Sequence, residues 1–339
     1  MTAPMTAPMS GTDIHTHVVP GDFPTYAGRC GESRWPSMAA GHDCHHRNVM
    51  IDGKLFRTVD DRSWDVERRL EAMTECGIAR QALSPMLELL SYWFSAEDAA
   101  AFGAHVNGTI AAMVDRAPDR FTGLGMVPLQ DPELAARELE RLMATGRFRG
   151  VEIGTNVNGV PIGDARFDPF YAAAQETGAA IFVHALHPTG AERLIGPKSL
   201  MAMVGFPCET AFAIVSLITG GTLARFPRLR LAFSHGGGVF GLVLPRLMQG
   251  WPMLPQVAEI AGGTPAEHAR RLFYDTLVYD APTLRFLLER FGETQLCIGT
   301  DFPFSIEEKD PVGAVDAIGP DDRLRALLMS QNAARFLGV

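Results

Sequence analysis

The sequence predicts an α/β fold: a closed parallel (β/α)8 TIM barrel with a small lid inserted after the first strand. Three observations carry that prediction. Eight short β-rich runs alternate with amphipathic helical stretches. Eight such units fit a chain of 339 residues as one barrel domain over 11–339, behind a short tail at 1–10. No G-x-G-x-x-G follows the first run, so the usual sign of an open dinucleotide-binding sheet is missing.

The β-rich runs, in order, are 12–15, 80–83, 121–127, 150–153, 180–183, 229–234, 272–275 and 295–299. Between them the apolar spacing predicts helices, notably over 64–76 and over 132–144, the latter with Asp131 to cap it and Gly146 to stop it. The segment 18–63 breaks the rhythm, being long and rich in Gly, Pro, His and Asp. Long loops in compact domains carry function or stay disordered. Within it, 50–56 reads as a hairpin turning at Asp52-Gly53, so the segment is assigned as a lid over the C-terminal face of the barrel.

Composition narrows the function. With 47% apolar and 20% charged residues the chain can bury a large core. Its net charge of −9 excludes a general electrostatic footprint for nucleic acid or anionic lipid. No membrane span is expected, the longest apolar pieces, such as 212–219, falling short of about 18 residues. The opening MTAPMTAPMSG has neither a basic flank nor a continuous apolar core, so it reads as a disordered tail and the expected location is cytoplasmic. Five cysteines (Cys30, Cys44, Cys76, Cys208, Cys297) are scattered without a CxxC pair, which points to reduced thiols.

The chemistry-bearing residues sit at the C-terminal ends of the strand runs. In Asp13-Ile14-His15-Thr16-His17, residues two apart on an extended chain face the same side, so His15 and His17 either share one ion or are two hydrogen-bonded side chains at a strand end. His184 ends Ile181-Phe182-Val183. His235 ends the sixth run and precedes Gly236-Gly237-Gly238, and Asp301 ends the eighth. A barrel opens all strand C-termini on one face, so residues remote in sequence converge there.

With these motifs the chain resembles the amidohydrolase superfamily, and within it the aminocarboxymuconate-semialdehyde decarboxylase-like branch. The resemblance rests on Asp13 to His17, Val183-His184, Ser234 to Gly238, Gly299-Thr300-Asp301-Phe302-Pro303-Phe304 and Val127 to Asp131. It implies one divalent ion per chain, Zn2+ first and Mn2+ second, held by His15, His17, His184 and Asp301, with His235 beside the metal-bound water as acid/base. Two-metal members use a modified lysine at the end of the fourth strand; here that region is Gly150-Val151-Glu152-Ile153-Gly154-Thr155, so one metal is expected and Glu152 is read as a barrel-interior carboxylate. The resemblance also assigns Arg57 and Arg246 to substrate carboxylates, Arg246 reaching across from the other subunit of a homodimer. Planar guanidinium forks suit carboxylates.

After the fifth strand the branch has Pro-Trp-Asp where this chain has Ala185-Leu186-His187-Pro188. His187, Trp93 and Phe302 are therefore candidate substrate contacts, with Trp64, Tyr92, Trp251 and Phe304 as further candidate pocket walls. The run His42-Asp43-Cys44-His45-His46 reads as a polar lid loop, with a substrate contact from one of its histidines favoured over a metal site, because contiguous residues rarely wrap one ion. The expected function is metal-dependent, non-oxidative decarboxylation of a carboxylated muconate semialdehyde or a related unsaturated or aromatic dicarboxylic acid in aromatic catabolism. Its substrate is a small anion and no organic cofactor is needed. The alternatives are a hydrolase of an amide, lactone or C–C bond, a hydratase on the same site, or a catalytically silent barrel.

Overall fold

A computed structural model describes residues 9–25 and 34–339. Most of the tail, 1–8, and the stretch 26–33 of the lid, with Cys30, lie outside the described residues. The strands are β1 Gly11–Val18, β2 Ser37–Ala40, β3 His46–Ile51, β4 Lys54–Asp60, β5 Ile78–Pro85, β6 Phe121–Gly125, β7 Phe148–Gly154, β8 Asn156–Val157, β9 Val160–Pro161, β10 Ala180–His184, β11 Arg230–Phe233, β12 Phe273–Asp275 and β13 Leu296–Cys297. Eight of them form one parallel sheet in the order β1-β5-β6-β7-β10-β11-β12-β13, matching the eight expected runs. The two ends of that sheet meet: the Ile14 amide donates to the Ile298 carbonyl at 2.9 Å and the Asp301 amide to the His15 carbonyl at 2.9 Å. The barrel is therefore closed by the same two segments that carry three of the candidate metal ligands.

Period-2 alternation divides the side chains between two cores. Ile14, Ala82, Leu124, Ala180, Phe182, Ala232 and Cys297 pack in one cluster with Ala333, Phe336 and Leu337 of the C-terminal helix. Their neighbours Val151, Ile153, Ile181, Val183, Leu231 and Phe233 pack outward against the helices. His184 follows Ala180 and Phe182 at the top of the inner column of β10. On β1 the pairing with β5 shifts between Asp13 and Thr16. This irregularity lets Ile14 join the inner cluster while His15 and His17 both face the barrel mouth.

The helices carry the capping chemistry that the sequence predicts. Asp65 caps Val66–Glu75 through the amides of Glu67 and Arg68, and Asp131 caps Pro132–Ala144 through the Leu134 amide. Within the expected lid, β2-β3-β4 form an antiparallel sheet. Asp52 and Gly53 both take positive φ at the two-residue turn between β3 and β4, as an Asp-Gly hairpin requires. Strand β2 was not expected, because Ser-Met-Ala-Ala has no β-branched or alternating signal.

One apolar segment is longer than the sequence reading allowed. Met201–Thr219 runs helically for 19 residues with mean hydropathy 1.8, long and apolar enough by composition to cross a membrane. Half of it is buried inside the fold. Its Glu209 carboxylate accepts from Asn156 Nδ2 at 3.0 Å and from the Thr189 amide at 2.9 Å, which ties the helix to two loops of the barrel mouth.

Candidate metal centre

His15, His17, His184 and Asp301 converge at the mouth of the barrel, each contributing a ligand atom within 4.8 Å of all the others, and all four are buried. His17 Nε2 lies 3.0 Å and His15 Nε2 3.4 Å from Asp301 Oδ1. The imidazole centroids stand 5.0 to 5.3 Å apart.

The outer nitrogen of each ring is engaged by the protein. His15 Nδ1 bonds Asp275 Oδ2 at 2.7 Å, His17 Nδ1 the Pro85 carbonyl at 3.0 Å, and His184 Nδ1 the Ala185 carbonyl at 3.0 Å. Each of these acceptors holds a proton on Nδ1 and turns Nε2 inward. All three inner Nε2 atoms are buried without a hydrogen-bond partner. Leaving three such groups unsatisfied is costly unless something fills the space between them. A set of three imidazoles and one carboxylate is of the kind that holds zinc or another borderline divalent ion.

The electrostatics point the same way. Burial opposes charge on His15, yet the Asp275 and Asp301 carboxylates beside it outweigh this and raise the imidazole to about 10. Burial also opposes charge on Asp301, but the adjacent His15 and His17 imidazoles hold it well below the usual carboxylate range. Burial and the adjacent imidazoles push His184 well below its ordinary value. A carboxylate that stays ionised among crowded imidazoles is a centre prepared for positive charge.

His235 stands beside the cluster, its ring 5.0 Å from that of His184 and 5.5 Å from that of His15. Its φ of +56° belongs to the left-handed region, as does that of Asp301 at +62°, an unusual backbone state for both residues. The following glycines make the turn possible: a Cβ on Gly238 would sit 2.0 Å from the Pro207 carbonyl oxygen. Burial first, then the neighbouring His15, pushes the His235 imidazole down to about 4, so it is neutral at pH 7. Its Nδ1 is buried without a partner.

Asp275 is the functional residue that sequence reasoning missed. At the end of β12, its Oδ2 accepts from His15 Nδ1 and from the His235 amide at 2.9 Å, and its Oδ1 accepts from the amides of Gly236 at 2.8 Å and Leu277 at 3.1 Å. One carboxylate thus orients a candidate ligand and sets the turn that presents His235. Its position at a strand's C-terminal edge, like that of His184 and Asp301, was the available signal. Behind β1, fully buried Arg69 donates to the carbonyls of His17 at 3.0 Å and Arg62 at 3.1 Å and to Gln81 Oε1 at 2.8 Å. Glu152, read from sequence as a barrel-interior carboxylate, is fully buried with Oε2 3.8 Å from His17 Nδ1 and is pushed up to about 7 by burial. Glu88, also missed, is a buried carboxylate after β5 whose Oε2 has no partner.

The candidate substrate residues separate. The Arg57 guanidinium lies 4.1 Å over the Phe304 ring, which in turn stacks on His17 at 4.9 Å, so the lid sheet brings Arg57 to the edge of the centre. Trp93 and His187 meet at the rim with ring centroids 5.4 Å apart. Phe302 is not brought to the mouth. Its ring is 95% buried behind the ligand strands, beneath the guanidiniums of Arg62 and Arg69 at 5.1 and 4.7 Å. Phe304, not Phe302, is the aromatic against a candidate ligand, its ring stacked on that of His17. Arg246 is exposed on the helix Phe240–Gly250.

A family model described as Amidohydrolase matches residues 12–339. A 2-amino-3-carboxymuconate-6-semialdehyde decarboxylase from Dictyostelium discoideum is 33% identical, across 96% of this chain and 91% of its own length. The chain belongs to the amidohydrolase family. The crystal structure of 5-carboxyvanillate decarboxylase from Novosphingobium aromaticivorans, complexed with manganese and 4-hydroxy-3-methoxy-5-nitrobenzoic acid, is similar to this amidohydrolase with a TM-score of 0.72, 25% identity and 82% coverage of both chains. A 2-keto-4-carboxy-3-hexenedioate hydratase from a Sphingobium species is 26% identical over 68% of this chain and 69% of its own length. The expected fold and superfamily are both borne out.

Proposed function

We propose that this amidohydrolase is a metal-dependent, non-oxidative decarboxylase of a small unsaturated or aromatic acid carrying more than one carboxylate, an aminocarboxymuconate semialdehyde being the leading substrate class. The observation that carries the reading is the trio of orphaned, buried Nε2 atoms facing Asp301 with neutral His235 beside them. His15, His17, His184 and Asp301 hold one divalent ion, Zn2+ or Mn2+; the manganese in the similar 5-carboxyvanillate decarboxylase supports the second choice. Bound there, the ion supplies Lewis-acid polarisation.

The protein's own residues do the remainder. Neutral His235 first takes up a proton from solvent water and then gives it to the carbon that loses carbon dioxide, the electron pair of the broken bond resting meanwhile in the conjugated substrate. Arg57 holds one substrate carboxylate from the lid sheet. Arg246 serves the site of a second copy in a homodimer. Supporting the dimer, Leu242 (70% exposed) on the same helix and Met253 (81% exposed) just beyond it leave apolar surface uncovered next to Arg246. The lid is the β2-β3-β4 sheet, and 11–339 forms one domain with a cytoplasmic address, in keeping with unpaired Cys44, Cys76, Cys208 and Cys297.

Hydration of a conjugated acid on the same centre is the second reading, favoured by the similar hydratase. Elemental analysis of the purified protein with a carbon dioxide assay over carboxylated muconate semialdehydes and aromatic acids tests both. One metal at the barrel centre, lost in Asp301→Ala, with carbon dioxide evolved is expected; a metal-loaded protein that adds water to such acids and evolves none overturns the decarboxylase.

A further inference from the structure

The polar run in the lid, read from sequence as a loop, folds differently from what contiguity implies. The turn joining β2 to β3 is closed by the Gly41 amide on the His46 carbonyl at 3.1 Å and by pairing of Ala40 with Arg47. It therefore doubles back and brings His42 and His46, four residues apart, face to face with ring centroids 4.1 Å apart. The Asp43 carboxylate sits between them, Oδ2 3.4 Å from His42 Nε2 and Oδ1 2.7 Å from His46 Nδ1. One donor atom from each of the three lies within 4.8 Å of the other two.

We propose that His42, Asp43 and His46 form a second divalent-metal site, separate from the barrel centre, at the base of the lid sheet. Donors bound to one tetrahedral ion at about 2.0–2.2 Å stand about 3.4 Å from one another, which is the spacing found between Asp43 and His42. In the barrel-mouth cluster the carboxylate-to-imidazole distances are 3.0 and 3.4 Å, both from one Asp301 oxygen; in the lid they are 2.7 and 3.4 Å, one from each Asp43 oxygen. Two imidazoles and a carboxylate suit zinc and leave a coordination position for water. Other carboxylates near the turn are engaged elsewhere: Asp61 bonds His45 at 2.7 Å and Asp60 pairs with Arg62 at 2.8 Å. Occupied, the site cross-links the two ends of a turn in the sheet whose last strand carries Arg57.

The test is Zn2+ stoichiometry and affinity, measured by competition with a chromogenic chelator on the full chain carrying Cys44→Ser, so that the exposed thiol adds nothing. The expected result is two equivalents per chain, falling to one in His42→Ala/His46→Ala. The weaker equivalent should lose at least tenfold in affinity in Asp43→Asn, a variant that keeps the loop's size. Asp301→Ala should retain the lid equivalent, which separates this site from the barrel centre. A single equivalent in the parent, or two that survive the double substitution, overturns the proposal.

Discussion

Replacing Asp275 by asparagine should damage the metal centre without touching a metal ligand. Each oxygen of that carboxylate accepts two N–H bonds, from His15 and His235 on one side and from Gly236 and Leu277 on the other. An amide keeps one acceptor and turns an NH2 toward the other two donors. Each buried donor so orphaned costs about 1–3 kcal/mol, so the metal-free protein should lose about 2–6 kcal/mol of stability. Removing the outer partner of a ligating histidine also weakens metal binding about 10- to 100-fold, equivalent to about 1.4–2.7 kcal/mol. Chelator competition gives the affinity, and denaturant titration of the metal-free protein gives the stability. If Asp275→Asn bound zinc within twofold of the parent, the argument that this carboxylate sets the His15 lone pair would be refuted.

The remaining predictions follow from the same geometry. His235→Ala should keep its metal and lose about 10²- to 10⁴-fold in turnover; turnover within threefold of the parent would remove His235 from the reaction. Arg57→Ala should raise KM for the carboxylated substrate far more than it lowers kcat, and an unchanged KM would dismiss the anchor. Mixing Arg246→Ala chains with His235→Ala chains should restore part of the lost activity if sites are shared between copies, whereas two additive losses would place Arg246 outside the site. The raised His15 value of about 10, against 6.5 when unfolded, stabilises the metal-free fold fully below pH 6.5 and is lost as pH climbs through about 10. Metal displaces that proton, so zinc affinity should rise with pH, by up to about tenfold per unit, through the same window; a flat profile from pH 7 to 9 would contradict the His15–Asp275–Asp301 linkage.

The barrel and its four converging candidate ligand residues were legible because both are written in short-range patterns. Strands announce themselves by period 2, and a polar residue that ends an apolar run, as His184 and Asp301 do, is conspicuous. Asp275 ends its run in the same manner, but its role lies in accepting backbone amides from the His235 turn, and nothing local in sequence encodes that partnership. Phe302 was placed by motif position alone, and after the left-handed turn at Asp301, φ +62°, its side chain lies beside Arg69. In the lid turn, contiguity argued against His42 and His46 sharing an ion, and the cross-strand closure at Gly41 is what brings their rings together. The apolar piece 212–219 is the end of a longer helical run, Met201–Thr219, which contains Gly205, Pro207 and Glu209, the last bonded to Asn156 and Thr189.

The most direct measurement of the central claim is turnover of a carboxylated muconate semialdehyde in D2O by the same preparation before metal removal, after it, and after one equivalent of zinc or manganese is restored. The account predicts carbon dioxide and one deuterium at the vacated carbon per turnover, lost with the metal and recovered with it. Equal turnover by the metal-free protein, or a product that has gained water and kept every carboxylate, would contradict it.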